Sequence, residues 1–229
     1  MLKTKTILAI GTAAVACAAS DAALVAGWTI PTAIPAATTG SAYTYGAADT
    51  GDAAAGTSLS AFHALAATTW SSPSGNGSTY SLSSNNWSVG DYYQISVATT
   101  GYTGISLSWD QTRSGTGPSS FRVDMSTDGT NFSTILASYT VIQAGASGSN
   151  TLAWSVANGV QSAFTTTVSG IAGADNQATL LFRFVNLSTV ATGGTNRIDN
   201  ISVSGTLVPA PGAIALLGVA GLAAHRRRR

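Results

Sequence analysis

The amino-acid sequence predicts an all-β protein, with a single jelly-roll-like β-sandwich domain between an N-terminal signal helix and a C-terminal transmembrane helix. Short stretches in which apolar and polar residues alternate recur between residues 27 and 206, separated by clusters of Gly, Asn, Asp, Ser and Pro. About nine to eleven strands at a spacing of roughly 8–14 residues are typical of a sandwich or jelly roll. The only helix candidate in this region, residues 53–67, contains Gly56, which disfavours a helix.

Two stretches show the alternation most clearly. In residues 104–110 the side chains of Ile105, Leu107 and Trp109 are expected on one face, and residues 120–126 alternate in the same way. Further strands are predicted at residues 91–97, 152–156, 164–168, 180–187 and 198–207, of which 180–185 and 198–203 are expected to be central.

Two connecting segments carry their own signals. Asp128-Gly129 lies between two apolar runs and predicts a hairpin turn. Residues 68–86 are rich in Ser, Gly and Asn, which favours a long loop or a weak edge hairpin.

No disulfide is expected, because the only cysteine is Cys17 near the N-terminus. Buried aromatic rings, each contributing about 2–3 kcal/mol, are expected to stabilise the core instead. The candidates are Trp70, Trp87, Trp109, Trp154 and the six phenylalanines.

The charge distribution excludes several classes of protein. Charged residues make up 8% of the chain, against about 25% in ordinary globular proteins. Between residues 27 and 208 there are four arginines and eight aspartates, so the middle of the chain is mildly acidic. A nucleic-acid binder needs a basic face, and charge-driven disorder needs low hydrophobicity, so neither class fits.

The first 22 residues have the layout of a secretory signal peptide. Lys3 and Lys5 precede an apolar stretch, and small residues follow it. Cleavage is expected after Ala22, with Ala18 as the other candidate. A lipoprotein box ending at Cys17 and an ordinary buried helix are the alternatives.

The C-terminal residues also have a recognisable pattern, an uncharged stretch followed by a run of arginines. Residues 207–224 carry no charge and approach the ~20 residues that a membrane-spanning helix needs. Pro209 and Pro211 prevent a regular helix from starting earlier, and a terminal arginine run would stay in the cytoplasm. A helix packed on the domain is the alternative. The predicted organisation is a signal peptide at 1–22, an extracellular sandwich at 23–206 and a tail at 207–229.

This tail resembles the PEP-CTERM sorting signal, in which a proline motif, an apolar helix and a basic cluster follow one another. The resemblance implies export through the Sec translocon, recognition by an exosortase-type membrane transpeptidase, and delivery to the cell surface or an exopolysaccharide matrix. Ala210 stands where the family usually has Glu, so the tail is expected either to be cleaved or to remain as an anchor. The matching residues are Val208, Pro209, Pro211, Gly212, Arg226, Arg227, Arg228 and Arg229.

The middle of the chain also resembles known domains. The segments concerned are residues 87–93, 108–114, 117–118, 126–132 and 197–201. They are similar to the sandwich domains of PEP-CTERM proteins and, more loosely, to jelly-roll carbohydrate-binding modules. The resemblance implies a sandwich fold over about residues 85–206 and leaves the ligand open.

Catalytic machinery is hard to build from this composition. Glu is absent, and His63 is the only histidine outside the tail. A Ser-His-Asp triad would need His63, which lies in an apolar context that favours a structural role, and no Gly-x-Ser-x-Gly elbow surrounds any serine. No catalytic residue is therefore assigned, although a hydrolase that uses two aspartates remains an alternative.

Calcium is the one plausible cofactor, because it accepts carboxylate and carbonyl oxygens in irregular loops. Strict alternation places Asp199 on the same face as two apolar residues, which makes it a candidate ligand, with Asp49 or Asp52 as partners. The alternatives are an ion pair with Arg183 or Arg197, or a hydrogen-bonded carboxyl.

Other side chains have both a structural and a functional interpretation. Arg122 is expected to pair with Asp110, and Arg113 to bind either a ligand carboxylate or a backbone carbonyl. The aromatic residues Trp87, Tyr92 and Tyr93 could stack on sugar rings or pack in the core; alternation exposes only one of the two tyrosines.

Three functions follow from the sequence. The first is a non-enzymatic surface or matrix protein, the second a carbohydrate-binding module in a polysaccharide matrix, and the third a secreted hydrolase. An exposed row of aromatic residues on one sheet would favour the second.

Overall fold

The computed structural model describes residues 22–145 and 153–209 and confirms the all-β prediction. Within these residues the chain forms twelve strands and two short 3-10 helices. The strands make two six-stranded antiparallel sheets, which enclose one core as a β-sandwich. The strands are β1 (Ala22–Trp28), β2 (Ala42–Gly46), β3 (Ser58–Phe62), β4 (Trp70–Ser71), β5 (Leu82–Ser84), β6 (Tyr92–Val97), β7 (Tyr102–Arg113), β8 (Ser120–Ser126), β9 (Ser133–Thr140), β10 (Thr165–Val168), β11 (Leu180–Asn186) and β12 (Asn196–Leu207), and the 3-10 helices are Val156–Asn158 and Ser162–Phe164.

The two longest strands, β7 and β12, lie side by side in the first sheet. Its order is β10-β7-β12-β5-β4, and β1 also pairs with β12. Strand β12 pairs with β7 on one side; on the other, its first residues pair with β5 and its later residues with β1. The prediction that residues 198–203 form a central strand is therefore confirmed.

The second sheet has the order β2-β3-β6-β11-β8-β9. Strand β11 lies between β6 and β8, which confirms that residues 180–185 form a central strand. Because every pair is antiparallel, residues directly opposite each other on neighbouring strands share one face of the sheet.

Aromatic side chains dominate the core between the sheets. The rings of Trp109 from the first sheet and Phe184 from the second lie 4.9 Å apart and join the two layers. All five tryptophans of the chain are buried, four of them as predicted. Phe62 and Phe132 are not among the buried side chains and lie at the surface.

The connections between strands agree with the turn signals. The Asp128-Gly129 turn connects β8 and β9, and Gly129 adopts φ 76°, which glycine tolerates without strain. The Asp128 carboxylate accepts the backbone N–H groups of Thr130 and Asn131, 2.8 Å each. Strands β4 and β5 form the weak hairpin predicted within residues 68–86.

One predicted strand is absent. Residues 153–156 form no strand, because Ser155 caps the 3-10 helix Val156–Asn158 with its hydroxyl and Trp154 turns inward against Phe164. Residues 53–67, where Gly56 disfavours a helix, contain strand β3, and alternate side chains from Ser58 to Phe62 are buried between the sheets.

A β-bulge in β12 changes the face on which Asp199 lies. The prediction that it shares a face with Ile201 and Val203 is wrong. The register against β7 shifts just after Asp199, where Asn200 adopts φ 46°. The extra residue inverts the alternation, so Ile198 before the bulge and Ile201 after it both face the core, whereas Asp199 faces outward.

The predicted terminal helices fall on residues 1–21 and 210–229, outside the described residues. Strand β1 begins at Ala22, the last residue of the predicted signal peptide, and β12 ends at Leu207. Within residues 22–145 and 153–209, no helix has the length and apolar character needed to cross a membrane.

Candidate functional site

Two stacked aromatic rings lie on the outer face of the second sheet. Phe62 on β3 and Tyr92 on β6 are direct cross-strand partners. Their ring centroids are 5.7 Å apart and their planes are inclined by 28°. The Phe62 side chain is 44% exposed and Tyr92 is partly exposed. The pair therefore presents a flat apolar surface to solvent.

Arg183 extends this surface across the next strand. Its Cζ lies 4.4 Å from the centroid of the Tyr92 ring and 3.7 Å from that of Phe132. The Arg183 Nε donates a hydrogen bond to the Gln94 side-chain oxygen at 2.7 Å. Cation–π contacts of this kind are favourable and fix the guanidinium against the rings. We call Phe62, Tyr92, Arg183 and Phe132 the aromatic row.

The aromatic row crosses a sheet face that is otherwise polar. Gln94 and Asp124 lie directly opposite Arg183 on the neighbouring strands. Arg122 forms an ion pair with Asp124, 2.8 Å from Nε to Oδ2. The predicted pair between Arg122 and Asp110 is wrong, because β8 and β7 belong to different sheets.

The aromatic residues singled out in the sequence divide between core and surface. Trp87 and Tyr93 are buried, and the Tyr93 hydroxyl donates to the backbone oxygen of Asn196 at 3.0 Å. Tyr92 faces outward, as the alternation predicts. Sequence reasoning missed Phe62 and Phe132 as its neighbours. Phe62 ends an alternating stretch, but nothing in the sequence places β3 beside β6.

His63 belongs to a network that is closed to solvent. Its Nδ1 lies 3.3 Å from the Asp91 carboxylate and its Nε2 lies 3.2 Å from the Ser84 hydroxyl. Its ring packs against Trp70 and Trp87, with centroids 4.9 and 4.2 Å away. Burial lowers the pKa of His63, which the charge of Asp91 partly opposes. His63, Ser84 and Asp91 are all buried, so this arrangement offers no access to a substrate.

Two buried aspartates lie on the outer side of the first sheet. Asp110 and Asp199 are cross-strand partners, with exposed fractions of 2% and 0%. Asn76 links them: its side-chain amide donates to Asp110 Oδ2 and its backbone N–H donates to Asp199 Oδ2, 2.8 Å each. Asn200 also donates to Asp110 Oδ2 at 2.8 Å, and the Ser78 hydroxyl to Asp199 Oδ2 at 2.6 Å. We call these five residues the carboxylate cluster.

The donor set of the carboxylate cluster does not suit calcium. The hydroxyl of Thr165 donates to Asp110 Oδ1 at 2.5 Å, so of the four carboxylate oxygens of the cluster only Asp199 Oδ1 lacks a donor within the described residues. A calcium ion takes six to eight oxygen ligands, and here N–H and O–H groups occupy the carboxylates. The described residues include no group of three or more His, Cys, Asp or Glu that could hold a metal ion.

The other predicted partners of Asp199 have hydrogen bonds of their own. Asp49 accepts the hydroxyl of Thr29 at 2.6 Å, and Asp52 accepts the hydroxyl of Tyr102 at 3.2 Å. Within the described residues, no hydrogen bond links either of them to the carboxylate cluster. Within residues 22–145 and 153–209, no arginine forms an ion pair with Asp199, so the hydrogen-bonded interpretation is confirmed.

The pKa of Asp199 follows from this environment. Burial raises it from 3.8 to about 7, and the neighbouring charge of Asp110 acts in the same direction. Hydrogen bonds from Ser78 and Asn76 favour the charged form but do not compensate for desolvation.

Other predicted site residues have structural partners or lie outside the described residues. Arg113 donates to the backbone oxygens of Val141, Ser114 and Gly115, which confirms its backbone interpretation. Val208 and Pro209 are exposed just after β12. The remaining sorting residues are Pro211, Gly212, Arg226, Arg227, Arg228 and Arg229, all of them outside the described residues.

Comparisons with known proteins give distant structural matches. No protein-family model and no curated protein matches the sequence. A putative sugar binding protein from Bacteroides thetaiotaomicron is 9% identical with a TM-score of 0.43, and the match covers 80% of this chain and 100% of that chain. The K3 cleaved adhesin domain of Lys-gingipain from Porphyromonas gingivalis is 14% identical with a TM-score of 0.41, covering 80% and 100%.

An enzyme fragment gives a further match. The CBM22-1 and GH10 modules of endo-1,4-beta-D-xylanase 10B from Clostridium thermocellum, complexed with xylohexaose, are 15% identical with a TM-score of 0.41. The match covers 82% of this chain but only 30% of the xylanase chain, so this chain spans less than a third of that structure.

Proposed function

We propose that the protein is a glycan-binding module on a jelly-roll-like sandwich, and that a polysaccharide chain binds along the aromatic row. The observation that carries the proposal is the stacked pair of Phe62 and Tyr92 on an otherwise polar sheet face. The proposal joins two of the functions that the sequence left open, the surface or matrix protein and the carbohydrate-binding module.

The chemistry of the surface supports a sugar ligand. A pyranose ring has an apolar face that packs on an aromatic ring and hydroxyl groups at its edge that need hydrogen-bond partners. Phe62 and Tyr92 offer the apolar surface, and Ser60 and Gln94 on the same strands offer polar groups beside it. The row crosses from β3 over β6 to β11, about 10 Å at the usual strand spacing, and Phe132 extends it from the connection between β8 and β9.

The exposure of these rings is a second argument. A phenylalanine that is 44% exposed contributes little to the core, and stacking two rings enlarges the apolar surface in contact with water. Exposed apolar patches rimmed by polar residues mark binding sites. A rigid antiparallel sheet holds the rings in place before the ligand arrives, which limits the entropy lost on binding.

Isothermal titration calorimetry with a panel of soluble polysaccharides tests the proposal. We expect Phe62→Ala and Tyr92→Ala each to weaken binding by at least about tenfold, because each removes apolar contact with the sugar ring. Val156→Ala is the matched control, since Val156 is 58% exposed but lies in a 3-10 helix away from the row. Equal affinity of all four proteins, or binding by none of them, would contradict the proposal.

We also propose that the chain is exported and that its tail at 207–229 acts as a sorting signal recognised by an exosortase-type transpeptidase. The order of proline motif, apolar stretch and terminal arginines supports this. Deleting Arg226, Arg227, Arg228 and Arg229 is expected to leave unprocessed or mislocalised protein in cell fractions of the native host. Normal surface delivery of that variant would contradict the sorting role, and mass spectrometry of the mature protein would locate both cleavage points.

A further inference from the structure

We infer that the glycan is acidic and that Arg183 binds the carboxylate of a uronic acid unit. This inference rests on the proposed function and specifies the ligand class of the same site. It depends on three features of Arg183: the position of its guanidinium, its unused donors and the charge around it.

The guanidinium of Arg183 is held in a fixed position. It lies over the rings of Tyr92 and Phe132, and its Nε is bound by Gln94 at 2.7 Å. These contacts use the face of the group and one of its five N–H donors. Its partly exposed side chain therefore reaches the surface with its orientation already set.

The two terminal nitrogens of Arg183 retain their hydrogen-bonding capacity. Within the described residues, Nε has an acceptor, whereas Nη1 and Nη2 have none. Arg113 differs, because its Nη1 donates to two backbone oxygens. A guanidinium with free terminal nitrogens presents a planar fork that matches the two oxygens of a carboxylate.

The acidic residue opposite Arg183 on β8 does not neutralise it. Asp124 lies opposite it on β8, but both Asp124 oxygens accept from Arg122 Nε, at 3.1 and 2.8 Å. Oδ1 also accepts the hydroxyl of Thr134 at 2.7 Å. The positive charge of Arg183 is therefore uncompensated on this face, while the chain between residues 27 and 208 carries more aspartates than arginines.

The position of Arg183 within the row defines how a uronic acid would bind. Its carboxylate projects from the edge of the sugar ring, so a ring stacked on Phe62 and Tyr92 can direct that group toward the adjacent guanidinium. A neutral hexose would place a hydroxyl there, which accepts a single bond from the guanidinium. A carboxylate carries the opposite charge and accepts two parallel bonds from the planar fork, which favours the acidic chain.

The test compares three polymers by titration calorimetry: polygalacturonate, the same polymer with its carboxyl groups reduced to alcohols, and dextran sulfate. We expect the wild-type protein to bind polygalacturonate at least about tenfold more tightly than the reduced polymer and than dextran sulfate. Arg183→Gln should remove that preference: it should weaken binding of polygalacturonate by at least about tenfold and binding of the reduced polymer by clearly less, because the stacked rings of Phe62 and Tyr92 remain. Arg183→Lys should retain part of it, because an ammonium group lacks the planar fork.

The double variant Arg122→Gln/Asp124→Asn is the matched control, because it removes the neighbouring ion pair from the same sheet face without leaving Asp124 free to pair with Arg183. It should leave the preference for polygalacturonate intact. Equal binding of the reduced polymer or of dextran sulfate by wild-type protein, or an equal effect of the double variant, would overturn the inference and leave the proposed function standing. If no glycan of any kind binds, both fail. Binding of the reduced polymer by Arg183→Gln shows that the row itself is intact.

Discussion

Asp110 and Asp199 face each other across β7 and β12 as two buried carboxyl groups bridged by the single residue Asn76. Within residues 22–145 and 153–209, no arginine or lysine forms an ion pair with either of them. Two adjacent carboxylates without a cation repel each other, and the pair is relieved when one of them binds a proton. Burial is the main reason that the pKa of Asp199 is raised to about 7, and the charge of Asp110 adds to the effect.

The first prediction concerns the pH dependence of stability. Asp199 has a pKa of about 7 in the folded protein and 3.8 as its ordinary value, so the folded state binds the proton more tightly. Its contribution to stability is complete below about pH 4 and is lost as pH rises through about 7. We therefore expect Asp199→Asn to match wild type at pH 4 and to exceed it at pH 8.5, by on the order of 3 kcal/mol.

Urea unfolding of both proteins from pH 4 to pH 8.5 measures this difference. Asp175→Asn is the control, because Asp175 is exposed and lies outside the carboxylate cluster. A free-energy difference between wild type and Asp199→Asn that does not change with pH would show that folding does not raise the pKa of Asp199.

The second prediction concerns calcium. Because hydroxyl and amide groups occupy the carboxylate oxygens, a metal ion would have to displace Asn76 and Thr165. We expect millimolar calcium or excess chelator to shift the melting temperature by less than about 1 °C. A larger shift that disappears in Asp199→Asn would show that the cluster rearranges around the ion.

The fold was largely predictable because β structure leaves a period-2 pattern in the sequence. Residues 120–126 coincide with β8, and the central positions of β11 and β12 follow from their apolar content. The alternation fails at the bulge after Asp199, because the shift comes from the pairing with β7 and from φ 46° at Asn200. The sequence contains no local signal for that pairing.

The candidate site was less predictable, because it depends on which strands are neighbours. Alternation correctly exposes Tyr92, but Phe62 lies 30 residues earlier in the sequence and Arg183 lies 91 residues later. Only the order β3-β6-β11 brings the three together. The carboxylate cluster was equally hard to predict. Asn76 belongs to a Ser/Gly-rich segment whose composition predicts a loop, but it does not show that the loop covers Asp110 and Asp199.

The third prediction tests how closely the loop that carries Asn76 packs on the carboxylate cluster. A Cβ on Gly75 would overlap the Ser78 hydroxyl, the Asp199 carboxylate and the backbone oxygen of Tyr80. We expect Gly75→Ala to reduce the free energy of unfolding by about 2–3 kcal/mol, because the loop must move away and expose Asp199.

Gly193→Ala is the matched control for this substitution, because no heavy atom lies within 4 Å of the Cβ it would add. It should change stability by less than about 0.5 kcal/mol. Chemical denaturation of both variants at one pH provides the comparison. Equal stability of Gly75→Ala and wild type would indicate that the loop does not cover Asp199 in solution.

The fourth prediction concerns His63, whose titration opposes that of Asp199. Burial lowers the pKa of His63 below 6.5, so below about pH 6.5 the unfolded chain binds a proton that the folded protein does not. The contribution of His63 is therefore present above pH 6.5 and declines as pH falls, whereas that of Asp199 declines as pH rises. In the wild-type protein the effects of Asp199 and His63 on the pH dependence of the free energy of unfolding therefore partly cancel between pH 4 and 6.5.

The Asp199→Asn background separates the two titrations. In that background we expect stability to fall as pH decreases from 7 to 5, and we expect the additional change His63→Gln to flatten this slope. At pH 8 the same change should lower stability by about 2–4 kcal/mol, because Gln cannot fill the space between Trp70 and Trp87 and leaves Ser84 or Asp91 unpaired. Urea unfolding at each pH gives both quantities. If the free energy of unfolding still falls between pH 7 and 5 after His63→Gln, another group is responsible for the acid sensitivity. That conclusion would hold even if the loss of stability at pH 8 were as large as expected.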